Sequence, residues 1–353
     1  MPQGKRIAII PGDGIGKEVM AVGTRVLEAL SEGGVPITWE TFDLGADRYL
    51  ADGTTFPDDV AAKIRDHTDA VLLGALGDPR VPGLEHARAI LFGLRFGLDL
   101  YANVRPVMCL HERLMPLRDR AAKDCDFVVF RENTEGIYVG MGGQFKRGTP
   151  DEIAINEDVN TRKGVERIIR AAFEHAKLTG RKSVHMADKS NAMRHAHELW
   201  YRVFFEVASE YPGIAAKHMY VDALCLRMMQ NPAEFEVIVT CNLFGDIVTD
   251  LAAVLQGGLG MAASANVHPG RVSMFEPVHG SAPDIAGKDQ ANPLATVLTI
   301  GMMMSHLGFD GVEARLTEIV QRAIDGGHAT RDVGGTLGTK ATGEWVVAAL
   351  RAS

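Results

Sequence analysis

Four cysteines are all that 353 residues contain, and Cys109, Cys125, Cys225 and Cys241 form no CxxC pair and no disulfide-like spacing. They read as reduced, mostly packed thiols of a cytosolic protein. Basic runs are also missing. With a formal net charge of −8, nothing here could track a phosphate backbone, which argues against a nucleic-acid partner. Long apolar runs are absent too: the best candidate, residues 291–308, is interrupted by Asn292, Pro293 and His306 and reads as a core helix. Ahead of Pro11 only four consecutive apolar residues occur, too few for a signal peptide. Repeats, low-complexity tracts and an obvious linker are lacking. The expectation is a cytoplasmic protein that meets neither membrane nor nucleic acid. Its composition of 46% apolar and 23% charged residues is that of a globular chain, long enough for two domains.

The stretch around which the rest is organised is VIVTCNLFGDIVTD, residues 237–250. Residues 237–240 predict a short buried strand, and Asn242 and Gly245 punctuate the residues after it. Asp246 and Asp250 stand four apart at the opening of a predicted helix, so both carboxylates project from one face. Hard oxygen donors in such a pair suit Mg²⁺ or Mn²⁺. Spacing alone leaves open a solvated acidic face with Asp246 as helix N-cap.

From the N-terminus, residues 6–10 predict a strand, PGDGIG a glycine turn, and the residues to about 30 an amphipathic helix. GDGIG is not GxGxxG, so this loop by itself is a poor Rossmann signature. Further alternation of strand and helix patterns, with a helix over 85–96, predicts an α/β domain with a largely parallel sheet. Arg95 and Arg105 then flank an apolar, strand-like segment, and Arg131 ends the apolar run 127–130. Three guanidinium forks at strand ends suggest a site for a di- or tricarboxylic acid, the alternative being surface arginines paired with local acids.

Residues 136–159 are glycine-rich and predict a hairpin reaching out of its domain. A helix over 162–178 comes next, then a strand over 183–187 that delivers Asp188 and Lys189 to its end. A lysine there is either solvated or, near a metal or other cations, a base. Residues 218–221 predict a strand that ends at Asp222. Near the C-terminus, MFEPVHGSAPDIAG leads a strand into a loop of small residues that lets backbone N–H groups approach phosphate or ribose. Asp284 stands where it could accept a ribose diol and repel a 2′-phosphate. Helices over about 312–325 and 340–351 close the chain.

PGDGIGKEV, LRFGLDLYANVRP, RENTEGIYVG, ADKSNAM, VDALCLRMM, NLFGDIVTD and EPVHGSAPDIAGKDQANP together resemble the metal-dependent β-decarboxylating 2-hydroxyacid dehydrogenases. That family includes the isopropylmalate, isocitrate, homoisocitrate and tartrate/D-malate enzymes. The resemblance runs nearly end to end. It implies a two-domain α/β fold that is not a Rossmann fold. A cofactor-side domain would hold residues 1–101 and 255–353. A central domain, 102–254, would carry the metal ligands, the dimer interface and a β-hairpin arm. It also implies a homodimer with shared active sites, Lys189 and Asp222 being lent by the neighbouring subunit.

Position by position, the resemblance assigns the malate carboxylates to Arg95, Arg105 and Arg131. Asp246 and Asp250, with Asp222 of a second copy, would hold Mg²⁺ or Mn²⁺; a K⁺ requirement is left open. Lys189 resembles the general base for the hydroxyl proton, and Tyr138 the acid that protonates the enol once CO₂ has left. His279, Gly280, Ser281, Ala282, Asp284, Ile285 and Asn292 resemble the dinucleotide loop. Asp284 and Ile285 favour NAD, since NADP-using relatives place a Lys-Tyr pair there.

Substrate choice rests on ARAILFGLR, residues 87–95. Leu91 and Phe92 occupy the positions where isopropylmalate enzymes carry leucines. A dry pocket there favours an isopropyl group over an unpaired carboxylate. Both residues could instead be helix core. Arg88 replaces a glutamate common in the isopropylmalate enzymes, with Glu85 nearby, and RENTEGIY is closer to isocitrate and D-malate patterns. The expected reaction is oxidative decarboxylation of 3-isopropylmalate, as in leucine biosynthesis, with D-malate/tartrate and then (homo)isocitrate as alternatives. Non-catalytic regulatory relatives usually lose a metal aspartate, the lysine or the tyrosine, and all of these are present here.

Overall fold

A computed structural model describes residues 4–353. The described chain divides into two compact units, the first formed by 4–100, 108–123 and 253–353 and the second by 101–107 and 124–252. Residues 108–123, expected in the central domain, cluster with the first unit instead.

In chain order, the first unit opens with β1 (Lys5–Gly12), α1 (Ile15–Glu32), β2 (Ile37–Thr41), α2 (Ala46–Asp52), α3 (Asp58–His67), β3 (Ala70–Ala75) and α4 (Glu85–Gly97). The second carries β4 (Ala102–Met108), β5 (Asp126–Glu132), β6 (Gly142–Phe145), β7 (Ile153–Asn156), α5 (Arg162–Thr179), β8 (Ser183–Asp188), α6 (Ala196–Ala208), β9 (Ala215–Tyr220), α7 (Val221–Gln230), β10 (Val237–Thr240) and α8 (Asn242–Leu255). The chain then returns to the first unit with β11 (Ala263–Val267), β12 (Ser273–Pro277), α9 (Leu294–His306), α10 (Val312–Asp325) and α11 (Thr339–Arg351).

Strands of the first unit run in the order β2-β1-β3-β12-β11. Pairing is parallel except between β11 and β12. That reversal and order are not those of a dinucleotide-binding Rossmann sheet. In the second unit the order is β4-β5-β10-β8-β9, with β5, β10, β8 and β9 parallel. Every residue of β3, β8 and β10 is buried, as expected of strands covered by helices on both faces. α5 starts where Thr161 Oγ1 accepts the Gly164 N–H and stops at Gly180 in the left-handed region. Its buried Val165, Ile168, Ile169, Ala172 and Phe173 pack with Trp200, Val203 and Phe204 into the core of this unit.

β6 and β7 form an exposed antiparallel hairpin, closed at its base by a bridge between Gly136 and Val159. It presents Met141, Phe145, Ile153 and Ile155 to solvent.

Candidate active site

The second unit gathers one polar cluster around Asp246. Arg131, near the end of β5 and 1% exposed, turns along the first turns of α8. It can do so because position 245 is glycine: a Cβ there would collide with the Arg131 side chain. Arg131 Nε donates to the Asn242 carbonyl at 2.8 Å, Nη2 to Asn242 Oδ1 at 2.8 Å, and Nη1 to Asp246 Oδ1 at 2.5 Å. Tyr138 Oη donates to Asp246 Oδ2 at 2.9 Å, and its ring lies 5.3 Å from the Arg131 guanidinium. Arg105 donates from Nε to Asn103 Oδ1 at 2.7 Å and from Nη1 to Thr249 Oγ1 at 2.5 Å, with Nη2 3.5 Å from Asp246 Oδ1.

Two expectations change here. α8 begins at Asn242, so Asp246 lies past its first turn and is not its N-cap. Only Arg131 stands near a strand end, one residue before the last of β5; Arg105 lies inside β4, and Arg95 lies in the last turn of α4, within the helix expected over 85–96.

Asp250 stands one turn after Asp246, on an exposed position. Partial burial and the neighbouring Asp246 charge push its carboxyl above the usual range, against the opposing pull of Arg105 and Arg131. Lys189 directly succeeds β8, and Asp222 sits in the first turn of α7 rather than at the end of a strand. Lys189 Nζ lies 2.6 Å from Asp222 Oδ1, and that bond holds Asp222 below the ordinary carboxylate range. Among the described residues no three His, Cys, Asp or Glu side chains converge as a metal site. Within one chain, therefore, Asp222 does not join Asp246 and Asp250.

In the first unit the HGSAPDI loop comes after β12. Ser281 accepts the Ile15 N–H at 2.9 Å through its carbonyl, and Gly14, at φ 53°, faces that same carbonyl, which a Cβ would strike. The PGDGIG glycines thus seat the later loop. His279 Nδ1 lies 3.0 Å from the Gly280 carbonyl and so carries the proton. Burial lowers the His279 pKa and keeps the ring neutral, leaving buried Nε2 as an acceptor with no partner. Ala282 takes a φ of 38°, and Ile285 is half-buried. Asp284 is exposed; its carbonyl accepts Lys288 Nζ at 2.7 Å. Asn292 is occupied: Oδ1 accepts the Leu294 N–H and Nδ2 donates to Asp332 Oδ2 at 2.9 Å.

On α4, Arg95 is buried and donates from Nη2 to Glu276 Oε1 at 3.2 Å, while Nε has no partner. Leu91 packs half-buried against the core of this unit, and Phe92 stacks on Phe96 with ring centroids 5.4 Å apart.

Comparison with known proteins decides the family. The isocitrate/isopropylmalate dehydrogenase model matches residues 6–346. The chain belongs to that family.

Among relatives of this dehydrogenase family, a 3-isopropylmalate dehydrogenase of Thermobifida fusca is 45% identical over 93% of this chain and 95% of its own. One from Leifsonia xyli is 47% identical over 96% of this chain and 93% of its own. Among solved structures, isocitrate dehydrogenase from Methylococcus capsulatus superposes with a TM-score of 0.89 at 38% identity, covering 98% of this chain and 99% of that one. The chain is therefore a β-decarboxylating dehydrogenase with the family's α/β fold.

The residues suit the family's groups. Asp246 and Asp250 form an all-oxygen pair whose mutual repulsion a divalent cation would relieve. The bare His279 Nε2 suits an N–H donor such as an adenine amino group, and the exposed Asp284 suits a ribose diol. Sequence reading gave no such role to the residues that orient the candidate side chains: Asn242 on Arg131, Asn103 and Thr249 on Arg105, Glu276 on Arg95, Asp332 on Asn292 and Gly14 against Ser281. Asn242 and Gly14 read only as punctuation and a turn glycine, and Asn103 left a signal in standing two residues before Arg105 in a strand, hence on its face.

Proposed function

We propose that the chain catalyses the NAD-dependent, Mg²⁺- or Mn²⁺-dependent oxidative decarboxylation of 3-isopropylmalate to 4-methyl-2-oxopentanoate and CO₂. It would act in the cytoplasm as a homodimer in which a second copy lends Lys189 and Asp222. The observation that carries this is 45–47% identity, over nearly the whole length, to relatives named for that reaction.

Asp246, Asp250 and the second copy's Asp222 would hold the cation. When bound, that cation supplies Lewis acidity at the hydroxyl and the new carbonyl, while NAD⁺ takes up the hydride. Arg95, Arg105 and Arg131 hold the two carboxylates; their fixed orientations, set by Glu276, Asn103, Thr249 and Asn242, keep positive charge pre-arranged. Lys189, as the free amine, accepts the hydroxyl proton. Tyr138 gives its proton to C3 once CO₂ has left, and its hydrogen bond to Asp246 fixes the phenol for that role. The dinucleotide would lie against His279–Ala282, with Asp284 on its adenosine ribose and Ile285 and Asn292 alongside. Phe92 would face the isopropyl group, while Leu91, expected beside it, packs against the core of its unit.

NADH formation by the purified chain with Mg²⁺ tests this. With 3-isopropylmalate, kcat/KM should exceed the values for D-malate, tartrate and isocitrate by about 10²-fold. Arg88, exposed one turn before Leu91 and Phe92, favours D-malate or tartrate as second choice. Activity only after addition of a different chain would indicate a regulatory subunit.

A further inference from the structure

Lys189 is the residue whose side chain must stand accurately, yet it lies beyond the last residue of β8, where ladder hydrogen bonds no longer hold the backbone. Two buried polar side chains take over. On one side, Asp188 is 1% exposed, and its Oδ1 accepts the Ser190 N–H at 3.0 Å and Ser190 Oγ at 3.1 Å, with His218 Nε2 at 2.8 Å. On the other, His197, 1% exposed in the first turn of α6, accepts the backbone N–H of Lys189 itself at Nδ1, at 2.8 Å.

The chemistry of that second bond is specific. An amide N–H only donates, so Nδ1 must be bare and the proton must sit on Nε2. Nε2 is buried with no hydrogen-bond partner, and the nearest acid, Asp158 Oδ2, stands 3.8 Å away. Burial lowers the His197 pKa and keeps the ring neutral. The ring packs edge-on against Phe244, centroids 5.3 Å apart, and Phe244 lies on α8, two residues before Asp246. A fully buried imidazole with one nitrogen unsatisfied is costly for packing alone, and a leucine would fill the volume more cheaply.

We propose that His197 is a positioning residue for Lys189, its Nδ1 fixing the Lys189 backbone so that the amine is presented at one place for proton transfer. This deepens the reading of Lys189 as general base and rests on it. His197 does not touch substrate; it acts through the Lys189 amide and through its contact with the helix that bears Asp246.

The test is a set of variants of the full-length enzyme assayed with 3-isopropylmalate, NAD⁺ and Mg²⁺. His197→Leu keeps volume and removes the acceptor; His197→Asn keeps an acceptor oxygen near the place of Nδ1. The expected result is a kcat loss of about 10- to 100-fold in His197→Leu, with KM changed less than about 3-fold, and recovery of most of it in His197→Asn. In a Lys189→Ala background, His197→Leu should cost nothing further, because both changes act on one group. Wild-type kcat in a folded His197→Leu enzyme would overturn the proposal, as would equal losses in the Leu and Asn variants or fully additive losses with Lys189→Ala. If His197→Leu does not fold, His197→Asn against His197→Gln decides alone: the shorter amide should retain activity and the longer one lose it, and equal activities would overturn the proposal. Lys189→Ala with undiminished turnover would instead sink the base assignment, which separates the two failures.

Discussion

Arg131 Nη1 stands 2.5 Å from Asp246 Oδ1, an ion pair between a strand end and a helix that only a glycine at position 245 allows to close. The contact joins the arginine proposed to bind a substrate carboxylate to a proposed metal ligand, so changes at Asp246 should act on both proposed functions. Asp246→Asn keeps an oxygen acceptor for Arg131 and Tyr138 but removes the charge. Turnover at saturating Mg²⁺ should fall by at least about 10³-fold while the thermal melt moves only a few degrees. Near-normal turnover would remove Asp246 from the metal site.

Gly14 and Ser281 make the corresponding test in the first unit. Gly14→Ala places a Cβ against the Ser281 carbonyl and forces an alanine to a positive φ. The loop proposed to bind the dinucleotide must shift, and KM for NAD⁺ should rise about 10-fold or more, beyond any change in KM for the hydroxy acid. Titration of NADH fluorescence checks it directly.

Leu91 and Phe92, adjacent in sequence, should behave differently. Leu91 packs into the core, so Leu91→Ser should lower stability by about 1–3 kcal/mol and impair every substrate alike. Phe92 rests on Phe96 near the surface, so Phe92→Ser should leave the melt nearly unchanged and reduce kcat/KM selectively for isopropylmalate. Equal losses across substrates for Phe92→Ser would return it to packing.

His185 carries a pH dependence of stability. It is fully buried on β8 beside Phe235, and burial lowers its pKa from 6.5 to about 4. Between those values the unfolded chain binds the proton and the folded chain does not. Stability from this group is therefore complete above pH 6.5 and is lost as pH falls toward 4, to a total on the order of 3 kcal/mol. Urea midpoints measured from about pH 7 to about pH 5 should fall for the wild type and fall less steeply for His185→Leu.

Local pattern settled much of the architecture. The strand at 237–240, the helix at 312–325 and the hairpin within 136–159 all stand where alternation, periodicity and glycine spacing indicate. Each depends on contacts between near neighbours, which the order of residues already contains. β11 left no such mark and emerged only by pairing with β12. The motif residues also carried the resemblance to the family to which the chain belongs, since acids, arginines, a lysine and a tyrosine keep their character wherever they fold.

Their arrangement belonged to tertiary structure. Arg105 meets Asp246 across 141 positions and Gly14 meets Ser281 across 267, separations that no window of sequence reports. Arg95 lies inside the helix expected over 85–96 and observed to Gly97, yet its bond to Glu276 spans 181 positions. Whether Leu91 is pocket or core, and which buried nitrogen steadies Lys189, depend on side-chain neighbours brought together by packing. Sequence names the groups capable of the reaction; burial and distance decide what each one faces.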